Sequence, residues 1–203
     1  MALAAHDIAC QRGGRTLFQG LSFTLEPGEA LLISGPNGTG KTSLLRQIAG
    51  LLPLAAGRLT ATGAEAGTPV SELCHYVGHL SAIKTSFSVG ENLAFWTDFL
   101  DADESALPEA LAAFGLTPLA DLPAGLLSAG QRRKLALSRL FAAPRPIWLL
   151  DEPSVSLDTA SVKRLDAAIR DHLKTGGIAL VSTHVKLKTK FAQELTLGQE
   201  RAA

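Results

Sequence analysis

Eight residues constrain this chain more than any others: Gly35-Pro36-Asn37-Gly38-Thr39-Gly40-Lys41-Thr42, which fit G-x-x-x-x-G-K-[ST]. The motif has meaning only between a buried strand and a helix, and both flanks are present. Ala30 to Ser34 is a continuous apolar run, and Lys41 to Ala49 carries helical spacing closed by Gly50. In that setting the glycines let backbone N–H groups close around phosphates, and the helix N-terminus adds its positive end. Lys41 then reaches the β- and γ-phosphates, the Thr42 hydroxyl ligates Mg²⁺, and Ser43 follows in the same turn. The competing reading is a Gly-rich turn carrying a solvated lysine, and the flanking elements weigh against it.

The same alternation continues. Leu21, Phe23 and Leu25 have the period of a half-buried strand, and Glu26-Pro27-Gly28-Glu29 turns the chain. Ser88-Val89-Gly90-Glu91 has capping-box form ahead of Leu93, Trp96 and Leu100, and a further helix spans Pro108 to Phe114 with Gly115 as its stop. Ser128-Ala129-Gly130-Gln131 starts another helix, which ends before Pro144. Ile147 to Leu150 and Ile178 to Val181 are short apolar runs of the kind buried in parallel sheets. Val162, Leu165, Ile169 and Leu173 mark one face of the helix between them, which ends at Gly176-Gly177. Strands alternating with helices predict an α/β fold with ligands at the carboxyl ends of the strands. With 203 residues, 46% hydrophobic, we expect one domain, 1–203.

Composition removes several function classes. Lys plus Arg (19) balances Asp plus Glu (19), so no general field gathers nucleic acid or anionic lipid, and no nucleic-acid partner is expected. No apolar stretch approaches the roughly 20 residues that span a bilayer, so membrane contact is expected through a protein partner. Met1 to Cys10 lacks a basic n-region and does not read as a signal peptide, which predicts a cytoplasmic chain. Cys10 and Cys74 are far apart and read as reduced, structural thiols.

A phosphate loop alone leaves kinases, GTPases and many ATPases open. Leu127-Ser128-Ala129-Gly130-Gln131, taken alone, is a helix cap. It also resembles the LSGGQ signature of ABC (ATP-binding cassette) ATPases, with Ala129 in place of the first Gly. Ile147-Trp148-Leu149-Leu150-Asp151-Glu152-Pro153 resembles the family's Walker B segment. Unpaired charges are expensive near a core, so two acids ending a buried strand call for a reason, and Mg²⁺ supplies one. Without a phosphate loop they would read as solvated acids. Ser156-Leu157-Asp158 resembles the D-loop, and His184 occupies the switch-histidine position. These motifs fall in the family's order, and the likeness covers roughly Leu3 to Leu187.

The resemblance implies a P-loop NTPase of ABC nucleotide-binding type. Its core is a mainly parallel sheet, with an N-terminal antiparallel β part and a helical signature subdomain at approximately 86–143. It implies ATP and Mg²⁺ as ligands, Asp151 beside Thr42 at the metal, and Glu152 as the residue that orients and deprotonates the attacking water, with His184 assisting. It also implies that Ser128, Gly130, Gln131 and Asp158 engage nucleotide across a dimer of two identical copies. Two positions depart from the general pattern. His79 stands where most members have the Q-loop Gln, and Arg12 where an aromatic usually stacks on adenine. A guanidinium plane can stack on a base as well.

Tyr76-Val77-Gly78-His79, Ile83-Lys84, Glu91 to Phe95 and Thr16 to Phe23 resemble the ATP-binding subunit of the cytochrome c maturation system, the haem exporter ATP-binding family, which is similarly short and stops soon after the switch histidine. That likeness implies a peripheral subunit on the cytoplasmic face of the bacterial inner membrane. Its partners would be a polytopic membrane subunit, contacted near His79 to Phe87, and haem-handling proteins. The alternatives are an ABC transporter ATPase for another substrate, a soluble ABC ATPase that remodels an assembly, and a non-catalytic ATP-binding module. Glu152 and His184 weigh against the last, since a chain that only bound nucleotide needs neither.

Overall fold

The computed structural model describes residues 1–65 and 67–198. Its first two strands, β1 (Ala2–Arg12) and β2 (Arg15–Leu25), form a long antiparallel hairpin closed by Gly13-Gly14. Both glycines have positive φ, 56° and 74°, the conformation that a two-residue turn matching strand twist requires. β4 (Ala56–Thr62) pairs with the other edge of β1, giving an antiparallel sheet in the order β2-β1-β4.

The second sheet holds the site. β3 (Ala30–Ser34), β5 (Cys74–Val77), β6 (Ile147–Asp151), β7 (Ile178–Ser182) and β8 (Gln193–Thr196) lie in the order β5-β6-β7-β3-β8. Every described pair in this sheet is parallel. All five residues of β6 and of β7 are buried, as both faces of a parallel sheet are covered. One face packs on helix α1 (Lys41–Ile48) and the hairpin through Leu3, Ile8, Leu25, Ile33, Leu44, Leu45, Leu149 and Leu180. The other packs on α4 (Ala129–Ala142) and α5 (Thr159–Lys174) through Leu137, Leu140, Leu150, Leu165, Ile169 and Val181.

A third apolar cluster joins α4 to α2 (Val89–Phe99) and α3 (Leu107–Ala113): Val89, Leu93, Ala110, Leu116, Leu127 and Leu135. Both capping boxes form. Ser88 Oγ accepts from Glu91 N at 3.1 Å and Glu91 returns the bond to Ser88 N, while Ser128 and Gln131 repeat the arrangement at the start of α4.

Three expectations change in the structure. The strand read from Leu21, Phe23 and Leu25 extends back to Arg15, because the hairpin turn sets its start. The helix expected at Pro108 begins at Leu107, with the proline inside the first turn, where its missing N–H costs nothing. The sequence reading placed no element after Leu187, where β8 adds an edge strand alongside β3.

Candidate nucleotide site

The loop between β3 and α1 owes its shape to glycine. Gly35, Gly38 and Gly40 have φ of 126°, 82° and 108°, a region that L side chains rarely adopt. Thr39 Oγ1 donates to Pro36 O at 2.9 Å and closes the loop on itself. Gly40 precedes α1, and no side chain caps that helix. Its first N–H groups are therefore left for an anion. Lys41 is buried and bends back over the loop, with Nζ donating to Gly35 O at 2.6 Å and Pro36 O at 3.0 Å.

A cleft of about 420 Å³ opens above the loop. It is lined by Asn37, Gly38, Gly40, Lys41, Thr42 and Ser43 of the loop and α1, Arg12 and Leu17 of the hairpin, and Asp151, Glu152 and Ser182 at the ends of β6 and β7. Gly35, Pro36 and Thr39 shape the loop without lining this cleft. Thr42 Oγ1 donates to Asp151 Oδ2 at 2.8 Å, and the Tyr76 hydroxyl donates to the same oxygen at 3.4 Å. Arg46 Nε donates in turn to the Tyr76 oxygen at 3.4 Å. Burial pushes the Tyr76 phenol above its ordinary pKa, which keeps it a neutral donor beside the carboxylate. Ser182 pairs with Asp151 across β7 and β6, and its buried Oγ has no hydrogen-bond partner.

Glu152 follows with φ +48°, a left-handed conformation that costs a non-glycine residue about 1–2 kcal/mol. Its N–H donates to Ser182 O at 2.8 Å, and Oε1 lies 3.3 Å from His184 Nε2. The two chemical groups thus reach each other from the ends of adjacent strands. Arg133, on α4, is a neighbour of both acids that sequence reasoning missed. It is buried, and its guanidinium donates to four backbone carbonyls, those of Gly78, Asp151, Glu152 and Pro153. Burial pulls its pKa below the ordinary arginine value, against the raising effect of Asp151, Tyr76 and Glu152.

The remaining expected site residues lie elsewhere on the chain. Ser128 and Gln131 are occupied with capping α4. Gly130 faces the D-loop so closely that a Cβ there would stand 2.8 Å from Ser156 O. Asp158 caps α5 by accepting from Ser161 N and also bonds Lys134 Nζ at 2.9 Å. Those hydrogen bonds hold its carboxyl well below the usual range. His79 is exposed and lines a second cleft of about 210 Å³ with Ala129, Arg132, Arg133 and Ser156. None of these five lines the phosphate cleft of its own chain.

The residues fit Mg-ATP. Mg²⁺ is commonly held by one or two carboxylates together with substrate phosphates and water, and Thr42 beside Asp151 would supply the protein share. The open loop and its uncapped helix leave N–H donors for phosphates, and Arg12, which lines the same cleft, would offer a plane to a base.

Residues 18–155 match the family model described as ABC transporter. The chain belongs to that family. Within it, the chain is 50% identical to the "Cytochrome c biogenesis ATP-binding export protein CcmA" of Rhodopseudomonas palustris (strain BisB5), over 98% of both chains. It is 47% identical to the protein of the same name from Chelativorans sp., again over 98% of each. A third, from Rhodospirillum rubrum, is 51% identical over 96% of this chain and 84% of its own. A solved Pyrococcus furiosus structure, described as an ABC transporter ATP-binding protein, superimposes with a TM-score of 0.82 at 23% identity, covering 97% and 98% of the two chains. That likeness bears on fold alone. The ABC chain therefore binds ATP and is an ATPase, and among its described residues no helix is long and apolar enough to cross a membrane.

Proposed function

We propose that this ABC subunit binds Mg-ATP on the Gly35 to Thr42 loop and hydrolyses it with Glu152 as general base, to drive an export step of cytochrome c biogenesis. The observation that carries the chemistry is the cleft itself, where Thr42, Asp151 and Glu152 converge on the loop's open end. When bound, Mg²⁺ neutralises charge developing on the β- and γ-phosphate oxygens. Lys41 takes the phosphate oxygens in exchange for its loop carbonyls, Glu152 orients and deprotonates water, and His184 holds the carboxylate's outer oxygen.

Ser128, Gly130 and Gln131 do not line the phosphate cleft of their own chain, which supports closure of two copies head to tail. Each would cap the ATP of the other, and loss of the γ-phosphate would release them. The single domain 1–203, with its helices near 86–143 presenting the signature, is the unit that moves.

The name shared by relatives at 47–51% identity supports the choice of system. In this reading the cargo is haem, or a step that delivers or releases it, and the chain is peripheral on the cytoplasmic face of the inner membrane. Its membrane subunit docks in the groove between Leu51, Leu80, Trp96 and Phe99, whose mouth is apolar and exposed. Haem-handling proteins act beyond that subunit. The test is complementation: a bacterium lacking this gene should lose covalent haem on its c-type cytochromes and regain it with the native chain but not with Lys41→Ala. Normal holocytochrome levels in the deletion strain would refute the assignment.

A further inference from the structure

Arg133 stands in a run, Arg132-Arg133-Lys134, that resembles an ordinary solvated helix face, yet its side chain is turned inward and is 5% exposed. Nε donates to Pro153 O at 3.0 Å, Nη2 to Asp151 O at 2.9 Å and to Glu152 O at 2.7 Å, and Nη1 to Gly78 O at 2.6 Å. One planar group therefore holds three successive carbonyls, from the last residue of β6 onward, and one just beyond β5. The middle residue of the three is Glu152, whose backbone is in the left-handed region. A conformation of that kind persists only where the surroundings over-determine it. Its N–H is fixed by Ser182 O, and its carbonyl by Arg133 at 2.7 Å and, at 3.3 Å, by the Val155 N–H.

A buried charge is costly unless its donors are matched, and a helix residue that merely packs needs no such group. Lysine, with one nitrogen, cannot span four carbonyls in one plane as the guanidinium fork does. The donor also comes from a particular place. Arg133 is on α4, the helix whose first turn carries Ser128 and Gly130, and Gly78 immediately precedes His79. Displacement of α4 is thus carried by rigid bonds to the backbone that aims the Glu152 carboxylate.

We infer that Arg133 is a positioning residue for ATP hydrolysis: it sets the aim of Glu152 and ties that aim to the position of the signature helix. This rests on the reading of Glu152 as the base. Arg133 does not line the phosphate cleft, so its loss leaves nucleotide binding in place while slowing the step that uses Glu152.

The test is a double-mutant cycle on the full chain in its assembled complex. Arg133→Lys and Arg133→Gln each keep donors in the buried site, so either is readable if the other does not fold. Each is made in the native and in the Glu152→Gln background, and ATP affinity and single-turnover hydrolysis are measured. The expected result is a 10- to 100-fold slower hydrolysis, on the order of a misplaced catalytic group, with ATP affinity unchanged within about threefold. In the Glu152→Gln background the Arg133 variants should slow hydrolysis no further, because residues acting as a unit are non-additive. Equal slowing in both backgrounds, loss of ATP affinity in step with rate, or failure of both variants to fold would make Arg133 a support of the fold and overturn the inference. If Glu152→Gln alone hydrolyses at the native rate, the base assignment fails instead, a result the cycle separates from the others.

Discussion

Thr42 and Asp151 are 109 positions apart, yet Thr42 Oγ1 donates to Asp151 Oδ2 at 2.8 Å. The bond joins the first turn of α1 to the carboxyl end of β6 and presents a hydroxyl and a carboxylate toward the same corner of the cleft. In the proposed reading, two hard oxygen donors placed so would be the protein share of a Mg²⁺ site. Asp151→Asn should therefore raise the Mg²⁺ concentration needed for half-maximal ATP hydrolysis by about 10- to 100-fold, while Thr42→Ser keeps the hydroxyl and stays close to native. A Mg²⁺ titration of ATPase activity checks this, and an unchanged midpoint for Asp151→Asn would remove the residue from the metal.

Arg12 lines the same cleft as Glu152 and stands at the base of the Gly13-Gly14 turn. A guanidinium stacked on adenine contributes about 0.5 to 2 kcal/mol. Arg12→Ala should weaken ATP binding by that amount and leave the maximal rate nearly unchanged. Equilibrium nucleotide binding reads the difference, and native affinity in the variant would place the base elsewhere.

His75 gives a pH dependence of stability. The ring is buried, with Nδ1 3.1 Å from Ala143 O, and desolvation first, then the charge of Arg139, depresses its pKa to about 3. The unfolded chain binds a proton near 6.5 and the folded chain does not, so the stabilisation is complete above pH 6.5 and falls as the pH drops toward 3. Between pH 6.5 and 5 the loss is about 2 kcal/mol. His172, also lowered by burial, adds to the same trend, so the measurement is a difference. Thermal unfolding of the native chain should lose more stability over this interval than that of His75→Gln. Parallel curves would contradict the burial argument.

The groove proposed for the membrane subunit has Leu80 75% and Phe99 66% exposed at its edges. Leu80→Asp and Phe99→Asp should release the chain from membranes on fractionation while its ATP affinity stays native. Retention on the membrane by both variants would move the docking surface elsewhere.

What was legible in the sequence is what is local. The phosphate loop, both capping boxes and the buried strands β6 and β7 declare themselves in runs of four to eight residues, since each is determined by its own spacing of apolar, small and acidic side chains. β4 and β8 were not legible. Ala56 to Thr62 and Gln193 to Thr196 carry little apolar content, and their extended form comes from pairing with β1 and β3. Arg133 was missed for a related reason. Its neighbours are basic, and only the packing of α4 against the end of β6 decides which of three cations turns inward. His79 marks the opposite limit: register with a family position gave it the place of the Q-loop Gln, and in the single chain it lines a cleft beside the start of α4.

The most direct test of the central claim is single-turnover ATP hydrolysis by Glu152→Gln, with ATP binding and self-association measured on the same sample. A base in hydrogen-bond reach of His184 and at the mouth of the cleft should contribute about 10² to 10⁴ in rate. The account predicts a loss of that size with ATP affinity retained and the ATP-bound chain held as a dimer. Hydrolysis at the native rate would contradict it.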